Sequence, residues 1–182
     1  MHTACAQNRA WRDRNFPPLR IAINLSAAQF RHRGLFGALQ AALADARLSG
    51  DALELELTES LLMDELVDAR VLLERLHGEG LSLAVDDFGT GYSSLSYLSS
   101  LPLDTLKVDR AFVREMLRDP RQAAIVRGIV ALAKSLGLTV VAEGVETEGQ
   151  AELLRREGCD RMQGYLYDRP LPPEGLERWL AA

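Results

Sequence analysis

The sequence predicts an α/β barrel, and three observations carry that prediction. Short aliphatic strands alternate with helical patterns along the whole chain. Within each strand the bulky residues share one face, while small or charged residues share the other. Six stretches place a polar or charged residue where a strand should stop: Asn24, Glu56, the pair Asp86–Asp87, Lys107, Glu143 and Gln163.

The elements follow in order. Arg20 to Leu25 is the first strand, with Ile21 and Ile23 opposed to Ala22 and Asn24. In the second, Leu53 to Leu57, three leucines oppose Glu54 and Glu56. A helix is predicted from about Asp64 to His77, and then a strand from Leu81 to Asp86 sets Leu83 and Val85 against Ala84 and Asp86. A short helix is expected to start near Ser93, and Thr105 to Val108 is the fourth strand, with Leu106 and Val108 opposed to Lys107. The clearest helix is Pro120 to Leu136: Asp119 caps it, Pro120 opens its first turn and Gly137 stops it. Its expected apolar face is Ile125, Ile129, Leu132 and Leu136. A strand from Leu138 to Ala142, a helix from about Thr147 to Glu157 and a weak strand from Met162 to Tyr167 complete the series.

Alternation of this kind implies a parallel sheet covered by helices, either doubly wound or closed as a barrel. A sheet with helices on both faces wants both faces apolar, and here only one is. No Gly-rich dinucleotide fingerprint follows the first strand. The aliphatic face therefore meets helices and the polar face lines an interior, as in a barrel, although six strands fall two short of eight.

Composition bounds the function classes. At 182 residues and 47% apolar, the chain reads as one globular domain over residues 1–182. A net charge of −5 with no basic run argues against DNA as a partner, but it leaves room for a small phosphate-bearing ligand. Cys5 and Cys159 have no metal-ligand spacing and no disulfide framework, so a reducing, cytoplasmic setting is the expectation, with Cys159 a buried thiol. No apolar run is long enough to span a bilayer, so no membrane contact is expected from this segment, whatever a longer parent protein carries.

An interior holding Glu54, Glu56, Asp86, Asp109 and Glu143 against Lys107 needs compensation, since buried charges must be paired, protonated or bound to metal. Carboxylates and an Asn amide suit a hard cation, Mg²⁺ or Mn²⁺. Consecutive aspartates suit a two-metal site, and a metal pair clamps both oxygens of a phosphodiester displacement, with Lys107 positioning water or holding phosphate charge. Taken singly, these residues read otherwise. Asp86–Asp87 makes a turn and a helix cap equally well, Lys107 and Asp109 make a solvated strand end, Glu56 an edge residue, and Glu143 a strand terminus. Their joint placement at strand ends favours a site. Glu54 is assigned to structure, with Arg20 as its basic partner, while His2, His32 and His77 are expected at the surface. Arg110 reads as a phosphate contact or as a solvated residue opening a helix.

The stretches NLSAAQF from Asn24, LELELTES from Leu53, DDFGTGYSSLSYL from Asp86, LKVDRAFV from Leu106, VVAEGVET from Val140 and QGYLYDRPLP from Gln163 resemble, in order, the EAL domain family. That resemblance implies a modified TIM-type (β/α) barrel and a cyclic di-GMP phosphodiesterase that yields linear pGpG with Mg²⁺ or Mn²⁺. It implies Asn24, Glu56 and Asp86 as ligands of one metal, Asp87 as a ligand of the second, and Glu143 beside the metal and water cluster. Lys107 is implied to orient or activate the nucleophilic water, Gln163 to sit at the substrate, and Glu59 to steady the loop from Phe88 to Ser94. Phe88, Tyr92 and Tyr97 are either contacts to a guanine base or core residues. By the resemblance, the segment that names the family is expected upstream of this chain, so the expected barrel is incomplete, lacking its first two strands, one metal ligand and a substrate arginine. A homodimer or a swapped oligomer is expected to relieve the open edges. The alternative reading is a noncatalytic module that binds cyclic di-GMP or a protein.

Overall fold

The computed structural model describes residues 1–64, 66–89 and 98–180, so Thr90, Tyr92, Tyr97 and the helix expected near Ser93 lie outside the described residues. Its framework is one sheet of six parallel strands in sequence order: β1 (Ile21–Asn24), β2 (Leu53–Thr58), β3 (Ser82–Phe88), β4 (Thr105–Val108), β5 (Thr139–Ala142) and β6 (Arg161–Met162). Among the described residues the sheet is open, with β1 and β6 at its edges, and it forms the half-barrel that the strand count predicts.

The two faces separate as the alternation requires. Leu53, Leu55, Leu57, Leu83, Val85, Leu106 and Val108 are fully enclosed beneath the helices that connect the strands. Burying each such side chain contributes about 1.5–3 kcal/mol, so this face dominates the fold's stability. The opposite face runs through Glu54 and Glu56 on β2, Ser82, Ala84 and Asp86 on β3, and Thr105 and Lys107 on β4, with Glu54 paired to Ser82, Glu56 to Ala84 and Ala84 to Thr105 before the register shifts beyond Val85. Its lower layer is a closed polar unit, in which the Ser82 and Thr105 hydroxyls donate to Glu54 Oε2 at 2.9 and 3.0 Å. Arg20 stands 3.9 Å from the same oxygen, so the two hydroxyls are nearer partners than the arginine expected from sequence.

Helix boundaries follow local chemistry. The helix Pro120–Ser135 is capped by Asp119, whose carboxylate accepts from Arg121 N at 2.8 Å, and Gly137 turns the chain out with φ of 76°. Its buried face is Val126, Ile129, Val130 and Ala133, rotated from the expected one and leaving Ile125 40% exposed. The helix Glu148–Glu157 begins in a capping box formed by Thr147 and Gln150. The helix predicted from about Asp64 to His77 is present as Leu66–Gly78, and a further helical segment, Glu59–Asp64, comes before it in the chain.

The last strand is shorter than expected. Gln163 N still donates to Ala142 O at 2.9 Å, but Val145 N donates to Gln163 O at 3.1 Å, Leu166 N to Val145 O at 3.0 Å and Tyr167 N to Gly164 O at 3.1 Å, so the chain curls around Val145 and does not extend the ladder. The first and last helices, His2–Asp13 and Pro173–Leu180, meet through Glu177, which accepts from Trp11 Nε1 at 3.0 Å and pairs with Arg14. Cys159 is half-buried, not enclosed, and its thiol donates to Arg161 O at 3.1 Å. His77 is exposed beside Asp104, at 3.3 Å.

Candidate active site

Above the Glu54 layer, at the carboxyl ends of the strands, the interior face becomes a charge cluster centred on Lys107. Lys107 Nζ lies 2.8 Å from Glu56 Oε1, 3.1 Å from Asp86 Oδ1 and 2.7 Å from Glu143 Oε1, with its side chain only 6% exposed. Burial opposes the ammonium, but the bonds to Glu143 and Glu56 outweigh it and raise its pKa above the ordinary lysine value. Glu56 is shifted upward by burial, only partly offset by Lys107.

Asp87 reaches the same cluster by a local irregularity. Val85 pairs with Leu106 and Phe88 with Val108, so Asp86 and Asp87 together face the single residue Lys107. This is a β-bulge, and Asp87 takes the left-handed conformation within it, with φ of 53°. Aspartate tolerates that region better than most residues with a Cβ. A regular strand would turn Asp87 toward the opposite face. Here one carboxylate oxygen from each of Asp86, Asp87 and Glu143 falls within 4.8 Å of the others. Burial, then the charge of Asp86, then a hydrogen bond with Asp109 push the Asp87 pKa up.

The turn that follows is held from the helix that succeeds β2. Glu59, 2% exposed at the start of its helix, accepts from Gly89 N at 2.9 Å. Removing that carboxylate leaves a partly buried N–H unsatisfied, so Glu59→Ala is expected to cost about 1–3 kcal/mol in urea denaturation. It should also weaken divalent-ion binding, read by calorimetric titration, because the bulge loses its anchor.

The remaining predicted residues sit at the periphery. Asn24 is the register partner of Glu56 but lies exposed on the edge strand β1. Gln163 N donates to Ala142 O at 2.9 Å, which places Gln163 beside Glu143 on the wall of a cavity of about 550 Å³. Arg110, Glu146, Tyr165 and Arg169 also line that cavity. Of these, the sequence reading singled out only Arg110, and the signal for the rest was their position just past β5 and β6, where barrel ligands bind.

The donor set fits hard divalent cations. Glu56, Asp86, Asp87 and Glu143 bring four carboxylates, all oxygen donors, to one end of the sheet, and the single ammonium of Lys107 contacts three of them.

A parallel α/β half-barrel with a carboxylate cluster at its strand ends defines the class of this protein. Its residues 1–170 match the EAL domain model, and the chain belongs to that family. It is 49% identical over 173 residues to the bifunctional diguanylate cyclase/cyclic di-GMP phosphodiesterase MucR of Pseudomonas aeruginosa, covering 95% of this chain and 25% of that protein. The solved MucR phosphodiesterase in complex with c-di-GMP superposes with a TM-score of 0.93 at 48% identity, over 96% of this chain and 71% of that one. The manganese/cy-diGMP complex of Klebsiella pneumoniae BlrP1 gives a TM-score of 0.84 at 35% identity, over 93% of this chain and 42% of that one. The chain thus spans about a quarter of the length of the curated relatives it matches. Among the described residues no helix is long and apolar enough to cross a membrane.

Proposed function

We propose that this chain carries the phosphodiesterase chemistry of its family, opening cyclic di-GMP to linear pGpG with Mg²⁺ or Mn²⁺. The observation that carries this reading is the cluster itself: Lys107 held by Glu56, Asp86 and Glu143, with Asp87 brought in beside them by a bulge. The relatives support it, since MucR is named as a cyclic di-GMP phosphodiesterase and BlrP1 was solved with manganese and the dinucleotide.

In this reading Asn24, Glu56 and Asp86 hold one ion and Asp87 the second, with Glu143 beside them. Bound ions of this kind supply positive charge to the attacking and leaving oxygens of a phosphodiester. Lys107 acts as a donor. Its raised pKa keeps it charged at neutral pH, so it orients a water or a phosphate oxygen and does not take a proton. Proton acceptance falls to a neighbouring carboxylate, and Glu143 at 2.7 Å from Nζ is the best placed. Gln163 holds substrate or water from the cavity wall, and Glu59 keeps the bulge in shape.

The test is incubation of the purified chain with cyclic di-GMP and manganese, followed by chromatography for pGpG. Turnover is expected, and Asp86→Ala should lower it by more than about 100-fold, since losing a ligand costs at least as much as losing its outer partner. Binding of the dinucleotide without turnover would instead make the chain a receptor.

A further inference from the structure

A second cavity, of about 310 Å³, opens among the helices and shares no lining residue with the one beside Glu143. It lies between the segment that follows the short helix Ala27–Phe30 and the part of Leu66–Gly78 that carries Leu72 and Arg75. Its apolar lining is Phe30, Phe36 and Leu72, with Phe30 anchored in the core at 5% exposure. Around them stand Arg31, His32, Arg33 and Arg75, and among the described residues no carboxylate lines the space. In a chain of net charge −5, that concentration of cations is local and one-sided.

The nearby acids are turned to other partners. Glu74 pairs with Arg70 at 2.8 Å, and Glu79 accepts from Gln40 at 2.9 Å. Among the described residues neither Arg33 nor Arg75 makes an ion pair; Arg75 stands over the Phe36 ring, its guanidinium carbon 4.1 Å from the centroid. That contact restrains a long side chain, so less rotamer freedom is lost when its N–H fork meets an anion. His32 Nδ1 accepts from Gly34 N at 3.1 Å, which leaves Nε2–H as the donor of the neutral ring. Arginine forks match phosphate oxygens, several together favour a dianion over a singly charged carboxylate, and an apolar floor favours an attached ring over bare phosphate. The volume is at the small end of ligand cavities. We propose that this pocket is an accessory site for a small aromatic phosphomonoester, of nucleoside monophosphate size. Arg33, Arg75 and His32 take its phosphate, and Phe30, Phe36 and Leu72 take its ring.

The test is calorimetric titration of the purified chain with phenyl phosphate in EDTA, so that no divalent ion offers the anion another seat. Saturable binding that weakens with added salt is expected, with inorganic phosphate bound at least about tenfold more weakly for want of a ring to bury. Arg33→Gln and Arg75→Gln should each weaken phenyl phosphate roughly 10- to 100-fold, the loss for a charge-assisted hydrogen bond. Arg110→Gln, in the other cavity, should leave that binding unchanged. Manganese affinity, measured without EDTA, should hold in Arg33→Gln and Arg75→Gln, since both side chains are exposed. If Arg75→Gln disturbs it, Arg33→Gln decides alone. The site would be overturned by a wild-type chain that ignores millimolar phenyl phosphate, by equal affinity for inorganic phosphate, or by binding that survives Arg33→Gln and is lost in Arg110→Gln. None of these results bears on turnover of cyclic di-GMP, so the phosphodiesterase reading stands or falls separately.

Discussion

Lys107→Met is expected to lower the melting temperature by roughly 6–20 °C at pH 8, equivalent to about 3–5 kcal/mol, because breaking a buried ion cluster from one side leaves uncompensated charge. The ammonium lies within 3.1 Å of three carboxylates, and methionine fills its volume without its charge. The deficit has a pH signature. Glu56 already has a folded pKa raised above 4.5, and removing the cation beside it raises it further. For an acid with a raised folded value, the folded state holds the extra proton, so stability is lost as pH rises from 4.5 through the folded value. The variant should therefore recover much of its deficit at pH 5. Manganese should also restore part of it at pH 8, by supplying charge to the same oxygens. Melting curves at the two pH values, with and without manganese, check all three statements; unchanged stability at pH 8 would show the cluster to be solvated.

Gly144→Ala is expected to cost about 2–4 kcal/mol, more than an alanine substitution at any glycine that merely ends a helix. Gly144 has φ of 68°, and an added Cβ would stand 2.5 Å from Arg110 Cβ and 3.3 Å from Arg110 Cα. The left-handed conformation accounts for roughly 1–2 kcal/mol, and the collision with the helix start accounts for the remainder. Gly137→Ala is the control: its φ is 76°, but no atom lies within 4 Å of the new Cβ, so it should show only the conformational part. The collision also acts on the site. Relieving it moves the end of β5 from the helix Arg110–Glu115, and Glu143 with it, so divalent-ion affinity should fall in Gly144→Ala and hold in Gly137→Ala. Urea denaturation and calorimetric titration separate the two effects, and equal midpoints for the two variants would sink the argument.

Much of this architecture was legible in the sequence, because period-2 alternation is a local property. Leu53, Leu55 and Leu57 against Glu54 and Glu56 can satisfy water and core only if one face is enclosed by helices and the other is polar and shared. The caps at Asp119 and Thr147 were equally local. The rotated face of the helix Pro120–Ser135 was less accessible: two apolar stripes overlap on that helix and share Ile129, and which of them meets the sheet is set by packing, not by the spacing alone. Residues 163–167 carry strand-like composition, but a backbone hydrogen bonds where a partner exists, and the partner is Val145.

The site divides along the same line. The sequence by itself determined which residues stand at the strand ends and that their buried charge needs compensation, since residue type and alternation fix both. Only the tertiary structure decided how they meet. A one-residue bulge reverses the side on which Asp87 emerges, three separate strands deliver Glu56, Asp86 and Glu143 to one ammonium, and the turn after β6 sets Tyr165 and Arg169 on the wall beside Glu143. The physical reason is that alternation states which face a residue takes within its own strand, whereas distances between strands come from register and packing that no single strand encodes.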